Sequence, residues 1–224
     1  MITMGEMATI QDQWQSRKAM FVRLWNQAAL QIDDAHVEDV WQHITRKYSE
    51  SHRFYHSQRH ILFCLKQFER IEDALADSTA ISLALWFHDL ILDPAANDNE
   101  EQSKLLFEAL AKNHLPADLI EKTSALIMST RHIDAPLNSD ESCIQDIDLS
   151  SMGEHWDSFV RDVDDLRKEY SHLSETAFKD VTINFYHKML DREKIYTSEY
   201  FHEHCEQVAR DNIKRYMREI LNHG

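Results

Sequence analysis

The sequence predicts an all-α protein. Only three Gly and three Pro occur among 224 residues, whereas strands joined by tight turns need these residues more often. Apolar residues instead recur three and four positions apart along most of the chain, which is the spacing of one face of an α-helix. The hydrophobic fraction of 43% is sufficient for one substantial core. We therefore expect a single helical domain over residues 1–224.

Two amphipathic helices are predicted at the amino-terminal end, near residues 11–30 and 36–48. Asp33 and Asp34 lie between them and favour a break. The apolar faces comprise Trp14, Met20, Phe21, Leu24 and Trp25 in the first helix and Val37, Val40, Trp41 and Ile44 in the second. We expect both faces to pack into the core.

The third predicted helix, near residues 57–71, follows a segment rich in histidine and arginine. If this helix begins near Ser57, His56 and His60 are four positions apart at its start and lie on nearly the same face. Ile61 follows His60 directly, so we expect His60 to be partly buried and to need a partner. Ordinary surface histidines are the alternative.

A fourth helix is predicted over residues 77–89, with Asp77 or Ser78 as its cap. Its apolar run ends directly at His88 and Asp89. Burying two ionisable groups at the end of a core helix is costly unless something pairs with them, and a divalent metal ion accepts an imidazole and a carboxylate together. A His–Asp pair hydrogen-bonded to the backbone is the alternative.

Two further helices are predicted near residues 99–110 and 116–132, separated from the fourth by a polar loop with Pro94. Glu100 lies at the start of the first, where acidic residues are favoured by the helix dipole and where active-site residues are also common. Arg131 and His132 lie at the end of the second, where the dipole favours cations.

The segment 143–153 is the second acidic stretch of interest. Its apolar residues should carry the backbone into the core, and Asp146 and Asp148 lie among them. Acidic side chains are rarely buried without a partner. Metal ligation and capping of a short helix by Asp148 are both compatible with this pattern.

The last three helices are predicted near residues 154–171, 174–191 and 198–222. Their recurring aromatic residues indicate packing. The run from His202 to Glu206 lacks the order of a known metal motif and lies on a charged helix, so it is interpreted as solvated surface.

Charge and cysteine content exclude several classes of function. The net charge is −15, which disfavours non-specific binding to nucleic acid or to an anionic membrane but permits a small phosphorylated substrate at a local cationic centre. Cys64, Cys143 and Cys205 are far apart, as expected in a reducing cytosol. Residues 1–6 lack the pattern of a secretory signal, and no apolar run is long enough to span a bilayer. We expect a cytoplasmic protein, and a homodimer is left open.

Taken in order, His60, His88–Asp89 and Asp146 or Asp148 resemble the H…HD…D pattern of the HD-domain superfamily of metal-dependent phosphohydrolases. The motifs lie between residues 55 and 153. Segments such as Trp86–Asp89, Asp98–Ser103 and Asp146–Leu149 are similar to a bacterial group of uncharacterised predicted members, and at that level the similarity covers nearly the whole chain. The resemblance implies an HD-like helical bundle with extra amino- and carboxy-terminal helices.

The resemblance also implies a set of metal ligands: His60, His88, Asp89 and Asp148, with Asp146 as the substitute for the fourth. Two imidazoles and two carboxylates suit one or two ions of Mn, Fe, Ni, Co or Zn better than Mg.

Tyr55–His60 is similar to the Y-H-N-x-x-H motif of cyclic-nucleotide phosphodiesterases, with Ser57 in place of Asn. This similarity assigns His56 to protonation of the leaving group. Asp93 would orient the attacking water, Arg59 or Arg131 would offset phosphoryl charge, and His132 and Glu100 would contact substrate or a second ion.

The implied function is hydrolysis of a nucleotide or another small phosphoester. A non-catalytic or regulatory HD module that binds a nucleotide, a metal ion or a protein partner is the alternative. The sequence does not select a substrate.

Overall fold

The computed structural model describes residues 4–75 and 77–222, and within these ranges it is helical with no β-strand. The all-α prediction is therefore confirmed. The α-helices are α1 Met4–Ala28, α2 Asp34–Tyr48, α3 Gln58–Glu69, α4 Ser78–Phe87, α5 Asn99–Ala111, α6 Ala117–Ser129, α7 Ser139–Leu149, α8 Trp156–Glu169, α9 Glu175–Asp191 and α10 Glu199–Asn222. Short 3-10 helices occupy Glu72–Ala74 and Ser150–Gly153.

The chain forms two compact units, Met1–Asp134 and Ala135–Gly224. The expectation of one domain over the whole chain stays a prediction. In the described residues, none of the helices combines the length and the apolar character needed to cross a membrane.

An aromatic cluster forms the core of the first unit. Trp14 stacks on Trp41 with ring centroids 5.4 Å apart, and both rings meet the edge of Trp86. Phe21 packs against Trp25, Trp41 and Trp86. These side chains are at most 2% exposed, and large aromatic residues each bury a large apolar area, so the cluster fixes α1, α2 and α4 against one another.

Helix α4 passes through the middle of this unit and ends at the predicted metal ligands. Every residue from Ala80 to Phe87 is buried. Asp77 caps the helix by accepting a hydrogen bond from the Ala80 amide, as predicted. His88 is the C-cap, and the Tyr48 hydroxyl donates to the Trp86 carbonyl near this end. The sequence thus places His88 and Asp89 at the end of a helix that is buried from Ala80 onward.

The second unit is organised around the 3-10 helix Ser150–Gly153 and α10. A Cβ atom added to Gly153 would lie 2.6 Å from Cys205 Cβ, so the absence of a side chain allows the two segments to approach. Asn212 donates hydrogen bonds to the carbonyls of Met152 and Glu154, and Tyr196 donates one to the carbonyl of Leu149.

The start of the third helix near Ser57 is confirmed, since Ser57 is the N-cap of α3 and His56 lies just before it. Two other local expectations were wrong. Asp148 lies in the last turn of α7, which Asn138 caps, and does not begin a helix. Helix α6 ends at Ser129, with Thr130 as its C-cap, and not near residue 132, where the backbone is left-handed with φ 54°.

Candidate metal centre

The backbone at the end of α4 fixes the ring of His88. Its Nδ1 atom lies 3.1 Å from the Leu85 carbonyl oxygen. A carbonyl oxygen only accepts hydrogen bonds, so Nδ1 carries the proton of the neutral ring. The lone pair is then on Nε2, as in metal-binding histidines whose other nitrogen donates to the backbone.

Three ligand atoms converge at this point. His88 Nε2 lies 3.0 Å from Asp89 Oδ2, and His60 Nε2 lies 3.5 Å from the same oxygen. The two Nε2 atoms are 3.4 Å apart. His60 is 3% exposed and His88 is 1% exposed. The lone pair on His88 Nε2 and the carboxylate oxygen repel each other at this distance unless a proton or a cation lies between them.

The surroundings of the Asp89 carboxylate indicate whether the group is suited to a metal ion. Its Oδ2 atom is buried and accepts no hydrogen bond from the described residues. A buried carboxylate oxygen without a hydrogen-bond donor is costly, and a divalent cation would satisfy it together with the two imidazoles. The donor set therefore fits a divalent metal ion.

The charge around Asp89 favours its ionised form. Burial opposes ionisation of this carboxyl, but the neighbouring imidazoles of His88, His56 and His60 outweigh burial and hold its pKa well below the ordinary value. Asp89 is thus a carboxylate, which is the form that binds metal ions.

Asp148 completes the candidate group. In the described part of the chain, His60, His88, Asp89 and Asp148 each offer one ligand atom, and these atoms lie within 4.8 Å of one another. Asp148 is half-buried in the last turn of α7. These four residues, hereafter the metal group, could hold a metal ion.

Asp146, the substitute for the fourth ligand, has a different environment. It is 2% exposed, and its carboxylate accepts hydrogen bonds from the amides of Thr197 and Ser198 and from the Ser198 hydroxyl. The metal group, as far as the described residues go, contains Asp148 and not Asp146. The carboxylate of Asp146 holds the segment that leads into α10.

His56 lies beside the metal group although it is outside α3. Its ring meets the His60 ring edge to face, with centroids 5.9 Å apart, and also contacts Tyr55. Its charge contributes to the lowered pKa of Asp89. The predicted proton donor is therefore close to two of the ligands, and its catalytic role stays a prediction.

Asp93 and Glu100 belong to the loop after α4 and to the start of α5. The exposed Asp93 carboxylate accepts a hydrogen bond from the Ala95 amide, while the Asp93 backbone exchanges two bonds with the side chain of Asn99. Glu100 occupies the first turn of α5, where the helix dipole favours an acid. Neither residue is a member of the metal group, and their roles in catalysis or substrate binding stay predictions.

The predicted substrate cations are spread over the first unit. Arg59 precedes His60 in the first turn of α3 and is half-buried. Arg131 is exposed just beyond the end of α6, and His132 follows it in a half-buried position. Arg59 is next in sequence to a ligand, whereas Arg131 and His132 follow a different helix. Their contacts with substrate stay predictions.

Sequence reasoning missed Arg53. Its side chain is buried, and its guanidinium donates to the carbonyls of His56, Asp89 and Leu90 and to the carboxylate of Glu50. Arg53 lies three residues before His56 in the sequence. Because most arginines are exposed, this position alone does not predict that the side chain is buried.

The structure thus defines an all-α protein with a group of two histidines and two aspartates that could hold a metal ion. No family model matches the chain, and neither a curated protein nor a solved structure matches it. The similarity to HD-domain phosphohydrolases therefore stays a prediction from the sequence motifs.

Proposed function

We propose that this protein is a metal-dependent phosphohydrolase that acts on a nucleotide or another small phosphoester. One observation carries the proposal: Nε2 of His60, Nε2 of His88 and Oδ2 of Asp89 converge within 3.5 Å in a buried place, and that oxygen accepts no hydrogen bond from residues 4–75 and 77–222. The order of these residues in the H…HD…D pattern supports the choice of reaction.

The metal group would hold the ion through His60, His88, Asp89 and Asp148. A divalent ion bound there lowers the pKa of a bound water and offsets negative charge on a phosphoryl group. Four protein ligands leave coordination positions open for most first-row metals, and imidazole nitrogens favour those metals over Mg²⁺.

The protein's own residues supply the remaining chemistry. His56, beside His60, would give its proton to the leaving oxygen as the bond from phosphorus to that oxygen breaks. The guanidinium of Arg59, one residue before His60, would balance the charge that develops on the other phosphoryl oxygens. Burial of His60 and His88 restricts water around the ligands and strengthens these electrostatic interactions.

The test compares metal content and phosphoester hydrolysis in three proteins. The wild type is expected to hold about one or two ions per chain and to hydrolyse mono-, di- or cyclic nucleotides in the presence of Mn²⁺, Co²⁺, Ni²⁺, Zn²⁺ or Mg²⁺, with the products separated by chromatography. The double variant His88→Ala/Asp89→Ala is expected to do neither.

A matched control removes another histidine and aspartate of the same unit. Asp39 and His43 form an ion pair on α2 with side chains 64% and 30% exposed, so Asp39→Ala/His43→Ala should behave as wild type. Metal binding without hydrolysis of any tested phosphoester would favour the non-catalytic alternative. A wild type that binds no metal would overturn the proposal.

A further inference from the structure

Arg53 is a buried cation with an unusually complete set of partners. Nε donates to Glu50 Oε2 at 3.1 Å, Nη1 to the His56 carbonyl at 2.9 Å and the Asp89 carbonyl at 2.7 Å, and Nη2 to the Leu90 carbonyl at 2.9 Å. The carbon at the centre of the guanidinium lies 5.2 Å from the centroid of the Tyr48 ring. A buried charge needs such partners, because an unpaired one is strongly disfavoured.

The carbonyls that Arg53 binds belong to two segments far apart in sequence. One precedes α3 and carries His56, and the other follows α4 and carries Asp89. Nη1 alone joins them, since it donates to the carbonyls of both residues. The guanidinium therefore fixes the backbone of the candidate proton donor relative to the backbone of a metal ligand.

The end of α4 explains why a cation is favoured here. Carbonyl groups at the end of a helix lack partners within the helix and carry partial negative charge. Arg53 binds the two carbonyls that follow His88, and Tyr48 binds the Trp86 carbonyl. The carboxylate of Glu50 offsets the positive charge, so the cation adds little net charge near the metal group.

We propose that Arg53 is a positioning residue that sets the geometry of the metal group by holding the His56 and Asp89 backbones on one guanidinium. This inference rests on the proposed function, because it assumes that the group binds a metal ion. Lysine cannot replace it, because an ammonium is a compact charge and cannot span three carbonyls and a carboxylate in one plane.

The experiment titrates Co²⁺ into wild type, Arg53→Lys and Arg53→Ala and records the visible absorption bands of the bound ion. Residues that orient metal ligands typically change metal affinity 10- to 100-fold when removed, so we expect Co²⁺ affinity to fall by about that factor in both variants, with shifted bands. Methylguanidinium added to Arg53→Ala is expected to restore the affinity and the bands. Circular dichroism verifies that the variants are helical, and Arg53→Lys carries the test if Arg53→Ala does not fold.

The control separates positioning from loss of stability. Val40 is fully buried in α2, and Val40→Ala should weaken the core of the same unit while leaving the Co²⁺ affinity and bands as in wild type. Wild-type affinity and bands in Arg53→Lys would overturn the inference and leave the proposed function intact. Equal losses in Val40→Ala and Arg53→Lys would also overturn it. Absence of Co²⁺ binding in wild type itself would remove the metal function and this inference together.

Discussion

Asp146 and Asp148 are two positions apart in α7, but their carboxylates have different surroundings. Asp146 is almost completely buried and accepts three hydrogen bonds from Thr197 and Ser198, which lie just before α10. Asp148 is half-buried and belongs to the metal group. Two positions on one helix therefore separate a residue that stabilises the second unit from a candidate ligand.

This difference predicts opposite effects of two alanine substitutions. Asp148→Ala should lower metal affinity and change the stability of the metal-free protein little. Asp146→Ala should lower the free energy of unfolding by about 2 kcal/mol or more, because hydrogen bonds to a charged acceptor are lost and two amides are left without it. Metal titration and thermal unfolding of both variants measure the two effects.

Asp146→Asn is the control, since an amide oxygen can still accept from Thr197 and Ser198 and should retain part of the stability. Loss of metal binding in Asp146→Ala with unchanged stability would contradict this assignment.

The burial of three residues of the metal group could be predicted from the sequence. His88 and Asp89 follow an apolar run and His60 precedes one, and such runs predict that the adjacent residues are buried as well. Asp146 and Asp148 were not distinguishable, because both lie among the same apolar residues and only the partners of Asp146, more than 50 positions away, separate them. The burial of Arg53 was not predictable either, because it depends on the carbonyls of Asp89 and Leu90, which folding brings from another part of the chain.

At the scale of elements, the 3-10 helix Ser150–Gly153 can contact α10 only because Gly153 has no side chain. A Cβ at Gly153 would lie 2.6 Å from Cys205 Cβ, 3.0 Å from its Cα and 3.1 Å from its carbonyl oxygen. Two of these three atoms are backbone atoms of a long helix, so the neighbour cannot move aside as a flexible side chain could. Helix α10 must shift to admit even a methyl group.

Gly153→Ala is therefore expected to destabilise the second unit. Forcing an extra carbon into a packed contact typically costs about 1–3 kcal/mol, and urea unfolding measures the change in the free energy of unfolding. Glu203→Ala, at an exposed position of α10, is the matched control and should change stability by less than about 0.5 kcal/mol. A Gly153→Ala protein as stable as wild type would show that α10 adjusts without cost.

Helices with regular apolar spacing were predicted to within a few residues, as in α2, α4 and α9. The bounds of helix α7 were not predicted, because its first turns are polar and its start depends on the Asn138 side chain, which accepts hydrogen bonds from the amides of Asp140 and Glu141. A cap of this kind is decided by local geometry and leaves a weak pattern in the sequence.

For the molecule as a whole, the net charge of −15 bears on the proposed reaction. An acidic protein repels polyanions, so a phosphorylated substrate would need a local positive centre. A bound divalent ion would provide that centre. It would also bind the folded chain better than the unfolded one, because the four ligands are brought together only by folding.

Metal binding is therefore expected to stabilise the protein against unfolding. At free metal of about 100 times the dissociation constant, the free energy of unfolding should rise by about 2.7 kcal/mol, and a chelator should reverse the rise. Differential scanning calorimetry with and without metal measures it. The double variant His88→Ala/Asp89→Ala should show no rise, and an equal rise in that variant would mean that the metal binds elsewhere.

The aromatic core described above also makes the two units optically distinct. Of the five tryptophans, Trp14, Trp25, Trp41 and Trp86 are buried in the first unit, while Trp156 lies in the second, with the guanidinium carbon of Arg215 3.9 Å from its ring centroid. The tryptophan fluorescence of a Trp156→Phe protein, excited where tyrosine does not absorb, would therefore arise from the first unit alone. Its emission maximum would report the unfolding of that unit separately, whereas far-ultraviolet circular dichroism averages the helices of both.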